Sequence, residues 1–366
     1  MFGPYLSETK VDFGIFNTLP QRDRQKPVRQ IYADVVEQTM LAEQLGLSRF
    51  WYAEHHFNNF GLTASPLMLV AHMAAKTRTI RLGPAVVVAP LYNPARLLAE
   101  IGMADILSDG RLELGIGSGY QEYEFARFGV DLANVQDITH EMLELIRRGL
   151  TQKVFEFKGK YLSMPQSAIS TRPLQSPHPP MWLAGSAEKL VRWIIRHDQN
   201  LLIAGALGGV TRMKKMRESC EQLAIAEGKD PKAIKIGISR LAFPTKSKAD
   251  AIAYAEQGLY SYRVASSLKD KRENVVDNMV QESPYKGEPT VDDILRNLPI
   301  GDVDTCIERT VRMIRELNPV HIMTQPQIGG VDARKSIESM TLWATEVVPA
   351  VQRELGITPA AASAVA

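Results

Sequence analysis

The sequence predicts an α/β fold, a (β/α)8 or TIM barrel that carries inserted segments. Apolar strand-like segments alternate with helix-like segments along the 366 residues, and about eight strands occur in this pattern. Polar or glycine-rich residues follow several of these strands, where a barrel places its functional loops. A doubly wound open sheet is the alternative that the same alternation allows.

The first half of the chain supplies four strands and the helices between them. The strands are predicted at 11–17, 49–56, 80–89 and 111–119, and the helices at 31–46, 64–76 and 94–108. Gly46 is the residue type that commonly follows a helix end, and Pro94 suits a first helical turn. The run of valines in strand 80–89 indicates burial on both faces of a parallel sheet.

The second half resumes the alternation after an interruption. Strands are predicted at 181–186, 201–205, 234–243 and 320–326, and helices follow them, the last two at 303–317 and 332–347. Residues 120–180 interrupt the pattern with a predicted helix at 138–150 and a hairpin that turns at Lys158-Gly159. Polar residues 264–300 form a second predicted insert, which we expect to cover the barrel mouth. The chain is therefore expected to be one domain, 1–366, with two inserts.

Composition narrows the class of protein. The chain is 45% hydrophobic and 23% charged, with a net charge of +2 and both signs interspersed, so we expect no nucleic-acid or membrane partner. The start MFGPYLSETK lacks the pattern of a secretory signal. The two cysteines, Cys220 and Cys306, lie far apart, as is typical of a reducing compartment. A cytoplasmic protein is expected.

Residues 49–57, RFWYAEHHF, end an apolar strand with Glu54, His55 and His56. Neighbouring residues on a strand point to opposite faces, so the two imidazoles do not easily share a metal ion, and we expect no metal. A histidine beside a carboxylate among aromatic residues suits proton transfer near neutral pH. A metal hydrolase with ligands from several strands, and a solvated strand end without chemistry, are the alternatives.

Two glycine-containing segments follow later strands. The segment GIGSGY, 115–120, departs from the dinucleotide-binding fingerprint because Tyr120 occupies the position of the last glycine. Its glycines either allow the backbone to approach a flat ligand or form a turn. In WLAGSAEKL, 182–190, Ser186 is predicted to cap a helix whose first turn contains Lys189. The start of such a helix is a favourable phosphate-binding site. The alternative is that Ser186 only caps the helix and that Lys189 is only a surface charge.

These segments together resemble the bacterial luciferase-like flavin monooxygenases. The matching stretches are FWYAEHHF (50–57), LGPAVVVAPLYNPARLLAE (82–100), SDGRLELGIGSGYQEYEFARFGVD (108–131) and PLQSPHPPMWLAGSAE (173–188). The resemblance covers residues 11 to about 347 and is weakest over 264–300.

The resemblance implies a barrel enzyme that uses diffusible reduced FMN and O2. A separate NAD(P)H:flavin reductase would supply the FMNH2, and a C4a-(hydro)peroxyflavin would oxygenate a small organic substrate. His55 matches the catalytic histidine, Glu54 a residue near the isoalloxazine, and Ser186 a serine that contacts the phosphate. Ala85-Val86 matches the position of a non-prolyl cis peptide under the flavin ring. His56 is expected to position its neighbours, and a homodimer is expected because relatives are commonly dimeric.

The sequence departs from the family pattern at three positions. Gly117 stands where light-emitting luciferases have a reactive cysteine, and Ser118 and Gln136 stand where the family has arginines that hold the phosphate. Light emission from a long aldehyde is therefore not expected. The flavin and its phosphate are expected to be held by a different set, namely Ser118, Gly119, Tyr120, Tyr123, Ser186 and Lys189.

Two other functions are compatible with the resemblance. One is hydride transfer with a deazaflavin, F420, on the same fold, and the other is flavin binding without catalysis. The sequence leaves open the substrate and the choice among hydroxylation, Baeyer–Villiger insertion and C–S or C–N cleavage.

Overall fold

The computed structural model describes residues 11–205 and 207–357. Its strands are β1 (Asp12–Asn17), β2 (Arg49–Tyr52), β3 (Arg81–Pro84), β4 (Val87–Val88), β5 (Leu114–Gly117), β6 (Phe155–Lys158), β7 (Ser163–Ser167), β8 (Met181–Ala184), β9 (Asn200–Ala204), β10 (Lys235–Arg240), β11 (Phe243–Pro244), β12 (Val275–Val276), β13 (Met279–Val280), β14 (Ile300–Gly301) and β15 (His321–Thr324). The segment MFGPYLSETK, on which the expectation about a secretory signal depends, lies outside the described residues.

Helices cover the outside of the strands. They are α1 (Val28–Gln44), α2 (Pro66–Ala74), α3 (Pro94–Leu107), α4 (Glu122–Phe128), α5 (Val135–Thr151), α6 (Glu188–Arg196), α7 (Thr211–Ala226), α8 (Lys248–Lys269), α9 (Val291–Asn297), α10 (Val303–Leu317), α11 (Ala333–Leu342) and α12 (Val348–Leu355). Within the described ranges, no helix is long and apolar enough to cross a membrane.

Nine parallel strands form the barrel, in the order β3-β2-β1-β15-β10-β9-β8-β5-β4. β3 and β4 are two parts of the third barrel strand, and the peptide bond Ala85–Val86 between them is cis, as the resemblance predicted. The Leu82 N–H donates to Arg111 O (3.0 Å) and the Glu113 N–H donates to Leu82 O (2.9 Å), which joins β3 to the segment before β5. The predicted barrel is confirmed and the open sheet is wrong.

Local sequence signals set several helix ends. α3 begins at Pro94, where the Asn93 side chain accepts hydrogen bonds from the backbone of the first turn. Gly46 follows α1 with φ +73°, the left-handed conformation in which glycine is favoured. The predicted hairpin at Lys158-Gly159 is confirmed as the antiparallel pair β6 and β7.

The interior of the barrel is filled by two tryptophans. Trp51 and Trp182 meet edge to face with ring centroids 5.7 Å apart. Glycines on nearby strands make room for them, since a Cβ on Gly83 would lie 2.9 Å from Trp51 and one on Gly237 would lie 2.8 Å from Trp182. The tryptophans close the barrel below the mouth, so any ligand must bind above them.

A buried charge network fills the opposite, N-terminal end of the barrel. Arg49 contacts both Asp12 and Glu113. Trp51 Nε1 donates to His321 Nε2 (2.9 Å), and His321 Nδ1 contacts Asp12. Because Nε2 accepts the indole hydrogen, His321 is neutral with its own hydrogen on Nδ1.

The second insert differs from its predicted bounds. α8 continues to Lys269, so the irregular part begins after residue 269 rather than at 264. It contains the β12–β13 hairpin and α9, and β14 then pairs with β11 beside the barrel. A separate apolar core, which includes the stacked rings of Phe243 and Tyr254 (4.3 Å), packs α9 and β14 against α8 and β11.

Candidate active site

Four neighbouring strand ends meet on one side of the barrel mouth. β2 ends just before Glu54 and His55, while Gly117 on β5 is paired with Val88 on one side and Ala184 on the other. The segments that follow β2, β4, β5 and β8 therefore lie side by side. Three of them carry the sequence-predicted site residues.

His55 lies at the mouth with a partly accessible ring. Its side chain is 11% exposed, and the ring packs edge to face against Phe60 at 4.7 Å. Nδ1 lies 3.1 Å from Glu124 Oε1 and 3.3 Å from Gln121 Nε2. Nε2 makes no hydrogen bond to the described part of the chain, so it is the ring nitrogen left for a ligand.

His56 and Glu54 lie on the other side of the same segment. His56 Nε2 is 2.8 Å from Glu54 Oε1, and the other carboxylate oxygen of Glu54 accepts from the Val88 N–H (2.9 Å) and the Tyr92 hydroxyl (3.1 Å). Burial raises the pKa of Glu54, although these contacts act against the rise. Glu54 thus anchors the strand segment after the cis peptide, and both of its oxygens already have partners.

The residue that sequence reasoning missed is Glu124 in α4. This carboxylate is 2% exposed, and Oε1 accepts from the backbone N–H of His56 (2.8 Å) and the Asn58 amide (3.3 Å) in addition to its contact with His55. Burial acts to raise the pKa of Glu124, but His55 and the hydrogen bonds outweigh it, so the pKa is lowered. An acidic residue in EYEF, the segment after GSGY, was the available signal.

The floor of the mouth is apolar. Phe16, Ala85 and Ala184 are half-buried and pack on the cluster that contains Trp51 and Trp182. Ala85 lies between β3 and β4, two barrel strands from Phe16 on β1 and two from Ala184 on β8, and two of the three side chains are single methyl groups. A planar ligand can therefore lie over the floor without meeting a protruding side chain.

The strand ends at Ser118 and Ser186 supply polar groups beside this floor. Ser118 Oγ donates to Gln136 Oε1 (3.2 Å), and Ser186 is exposed. The prediction that Ser186 caps the helix is wrong: α6 begins at Glu188 with Ala187 as the cap residue and without a side-chain cap bond. The backbone stays extended at Ala187, which places Ser186 one residue too early to cap.

Lys189 is closer to a neighbouring helix than the sequence suggested. Its ammonium lies 2.7 Å from Asp137 Oδ1 of α5, and both side chains are half exposed. A phosphate at this strand end would therefore compete with Asp137 for the lysine.

The two predicted tyrosines take different positions. Tyr120 is 41% exposed, and its ring centroid lies 6.5 Å from that of His55, so it borders the mouth. The ring centroid of Tyr123 lies 3.3 Å from Cζ of the Arg127 guanidinium. Tyr123 also packs against a cluster that includes Tyr260 and Val264 of α8. Gly119, with φ +72°, has no room for a side chain because a Cβ would lie 2.5 Å from Phe125.

The second insert forms one wall of the site. The Asn59 amide donates to Gln21 O (2.8 Å) and to the Tyr260 hydroxyl (3.1 Å), while its carbonyl accepts from the Val280 N–H (2.8 Å). Asn59 thereby ties the β12–β13 hairpin and α8 to the segment next to Phe60. Across the described residues, no group of three His, Cys, Asp or Glu side chains is arranged to hold a metal ion.

Comparison with known proteins identifies the family to which the chain belongs. A protein-family model described as luciferase-like monooxygenase matches residues 11–318. An uncharacterized protein, y4vJ of Sinorhizobium fredii, is 38% identical over 347 residues, which are 94% of this chain and 99% of the relative. The oxygenase component of the flavin-dependent trigonelline monooxygenase of Acinetobacter baylyi is 28% identical over 71% of this chain and 73% of its own.

A solved structure agrees with the fold. The monooxygenase RslO1 of Streptomyces bottropensis superposes with a TM-score of 0.81 at 20% identity, covering 93% of this chain and 99% of that one. The family match covers the residues of the mouth described above and every barrel strand except β15. The chain therefore belongs to the luciferase-like monooxygenase family.

Proposed function

We propose that this protein is the oxygenase component of a two-component flavin monooxygenase. It takes reduced FMN from a separate NAD(P)H:flavin reductase and uses O2 to oxygenate a small organic substrate. The observation that carries the proposal is the position of His55 at the mouth, where Nδ1 faces Glu124 and Nε2 has no hydrogen-bond partner among the described residues. That the A. baylyi relative is itself named an oxygenase component supports the reductase partner.

The residues at the mouth fit FMN on two counts. The floor over Ala85 and Ala184 suits a planar ring system, and Gly117 keeps it low because Val86 fills the space that a side chain there would need. The exposed hydroxyl of Ser186 offers a hydrogen-bond donor to a phosphate, and the Ser118 hydroxyl and the Lys189 ammonium offer two more when they turn from Gln136 and Asp137. Reduced FMN bound there would supply the activation of O2.

The protein's own residues would position the reactants and handle a proton. His55 Nε2 donates or accepts a proton above the floor, and general acid–base groups of this kind contribute about 10²–10⁴-fold in rate. Phe60 and the insert wall held by Asn59 exclude water from the histidine. Glu54 and His56 act behind the site, where they hold the strand segment that ends at Val88.

We further propose a cytoplasmic homodimer. Exposed apolar side chains on α2 and α3, namely Met68, Met103, Ile106 and Leu107, support a subunit interface on that side of the barrel. Light scattering of the purified protein checks the dimer, and charged substitutions at Met68 and Leu107 are expected to yield monomers.

The test is O2 consumption with reduced FMN from a generic flavin reductase and a panel of organic substrates that begins with trigonelline. Substrate-dependent incorporation of ¹⁸O from ¹⁸O2 into product is expected. Substrate turnover with reduced F420 without O2 would favour hydride transfer, and flavin binding without any turnover would favour the non-catalytic relative. Ser186→Ala is expected to weaken FMN binding with little loss of turnover at saturating FMN.

A further inference from the structure

Two adjacent histidines have separate carboxylate partners in this structure. His55 Nδ1 faces Glu124 of α4, whereas His56 Nε2 faces Glu54 of its own segment. The two pairs lie on opposite sides of the chain because consecutive side chains of an extended segment point in opposite directions. Only the His55 pair borders the mouth.

The environment of Glu124 requires it to act as an acceptor. The backbone N–H of His56 and the amide of Asn58 both donate to Oε1, and neither can become an acceptor. His55 Nδ1 approaches the same oxygen at 3.1 Å. An ionised carboxylate only accepts hydrogen bonds, so this contact is a hydrogen bond only if Nδ1 carries the hydrogen.

One neighbouring group competes for the same ring nitrogen. Gln121 Nε2 lies 3.3 Å from His55 Nδ1 and would donate to it if Nδ1 carried a lone pair. That arrangement would leave the Glu124 carboxylate facing a lone pair at 3.1 Å, which is repulsive. The contact of His55 Nδ1 with Glu124 is shorter than its contact with Gln121, and it involves a charged carboxylate. Charge-assisted hydrogen bonds are stronger than hydrogen bonds between neutral groups.

We propose that Glu124 is a positioning residue that holds His55 in the tautomer with hydrogen on Nδ1, so that the Nε2 lone pair faces the mouth. Its consequence for catalysis rests on the proposed function, because it makes Nε2 the atom that accepts a proton there. The tautomer itself is a property of the protein without any cofactor.

Other titratable groups near His55 do not replace Glu124 in this role. His56, on the same segment, turns its ring toward Glu54 and Phe128. Tyr120 is 6.5 Å away ring to ring and receives a hydrogen bond from Gln121. Phe60, which packs edge to face on the His55 ring, carries no charge.

The first test is ¹⁵N NMR of the histidine-labelled protein without flavin, at a pH where the imidazoles are neutral. The chain has seven histidines, and comparison with His55→Gln assigns the His55 signals. The proposal expects a protonated-type shift at Nδ1 and a lone-pair-type shift at Nε2. The opposite pattern in the unaltered protein overturns the proposal without any variant.

Four variants then identify the cause of the tautomer. Glu124→Ala is expected to lose the fixed tautomer, whereas Gln121→Leu and Glu54→Gln are expected to leave the His55 signals unchanged. A change of tautomer in Gln121→Leu but not in Glu124→Ala would assign the role to the glutamine and overturn the proposal. Glu124→Asp, which keeps the carboxylate, is expected to restore part of the Nδ1–H population if Glu124→Ala alters the local fold.

Activity provides a separate readout. Glu124→Ala is expected to lower turnover by about 10²–10⁴-fold, the range of a general acid–base group, with a much smaller change in FMN affinity. A loss of FMN binding with normal turnover at saturation would contradict a positioning role. If no oxygenation is found in the unaltered protein, the proposed function fails while the NMR result still decides the tautomer.

Discussion

Gly117 and Val86 face each other so closely that a Cβ on Gly117 would lie 2.5 Å from Val86 Cγ2. The position at which light-emitting relatives are expected to have cysteine therefore has no room for a side chain in this protein. Val86 follows the cis peptide bond and occupies that space instead. The absence of a cysteine at position 117 is therefore linked to the presence of Val86, because the valine side chain fills the space that a cysteine would need.

Replacing Gly117 by cysteine is expected to destabilise the protein. Overpacking a well-filled site costs about 1–3 kcal/mol, measured here as the change in free energy of unfolding by urea. Val86→Ala in the same chain is expected to recover part of this loss, because it removes the methyl groups that collide. Equal losses in the presence and absence of Val86→Ala would contradict the contact, since coupled neighbours are not additive.

Removing the His55 imidazole is expected to impair turnover while the fold is retained. His55→Ala should lower turnover by about 10²–10⁴-fold, and its thermal unfolding should stay cooperative, because the ring is at the mouth rather than in the core. His72→Ala on the exposed side of α2 is the matched control, with unchanged turnover expected. Unchanged turnover in His55→Ala would remove this residue from the mechanism.

The ion pair between Lys189 and Asp137 predicts that a substitution at Asp137 will increase the affinity for FMN. Asp137→Asn frees the lysine for the phosphate, so affinity for FMN is expected to rise by up to about fivefold, the scale of an exposed ion pair. Lys189→Ala should lower the affinity and reduce its dependence on salt. Fluorescence titration with FMN at two ionic strengths measures both, and no response to either change would place the phosphate elsewhere.

Asn59 is expected to stabilise the packing of the β12–β13 hairpin against the site. Asn59→Ala removes the acceptor of the Val280 N–H and two further hydrogen bonds, and an unsatisfied buried group costs about 1–3 kcal/mol. Hydrogen exchange within 271–290 should become faster while the barrel strands are unaffected. Gln281→Ala serves as the control, because the side-chain amide of Gln281 donates to Met279 O two residues away.

The buried network at the N-terminal end of the barrel predicts a loss of stability in acid. Burial lowers the pKa of His321 from its usual value of 6.5, so the unfolded chain takes up this proton first and stability begins to fall below about pH 6.5. Burial acts to raise the pKa of Asp12, but its contacts with His321 and Arg49 outweigh it and the pKa is lowered. The stability contributed by this carboxylate is present above its usual pKa and is lost as pH falls further.

Urea unfolding from pH 8 to 4 measures this decline. The decline between pH 6.5 and 5 is expected to be shallower in His321→Gln, because glutamine does not titrate. An identical pH dependence of both proteins would show that His321 makes no contribution.

Much of the fold followed from the sequence because its signals are local. The alternation of strand and helix patterns, the proline at the start of α3 and the turn at Lys158-Gly159 each depend on a few consecutive residues. The end of α8 was misplaced because its last turn contains Ser266, Ser267 and Lys269, and this polar composition resembles that of a loop although Ser267 is buried. The N-cap at Ser186 failed for a related reason, since helix starts shift by a residue without a change in sequence pattern.

The sequence by itself determined the barrel and placed the segment Glu54-His55-His56 at the end of a barrel strand, because local hydrophobic periodicity indicates where strands begin and end. The tertiary structure alone decided which partner each side chain has. Glu124 meets His55 across 69 positions of chain, Lys189 meets Asp137 across 52, and Glu54 turns toward Val88 behind the site. Such pairings depend on how α4 and α5 pack against strand ends, and that approach is set by the whole core rather than by any short segment.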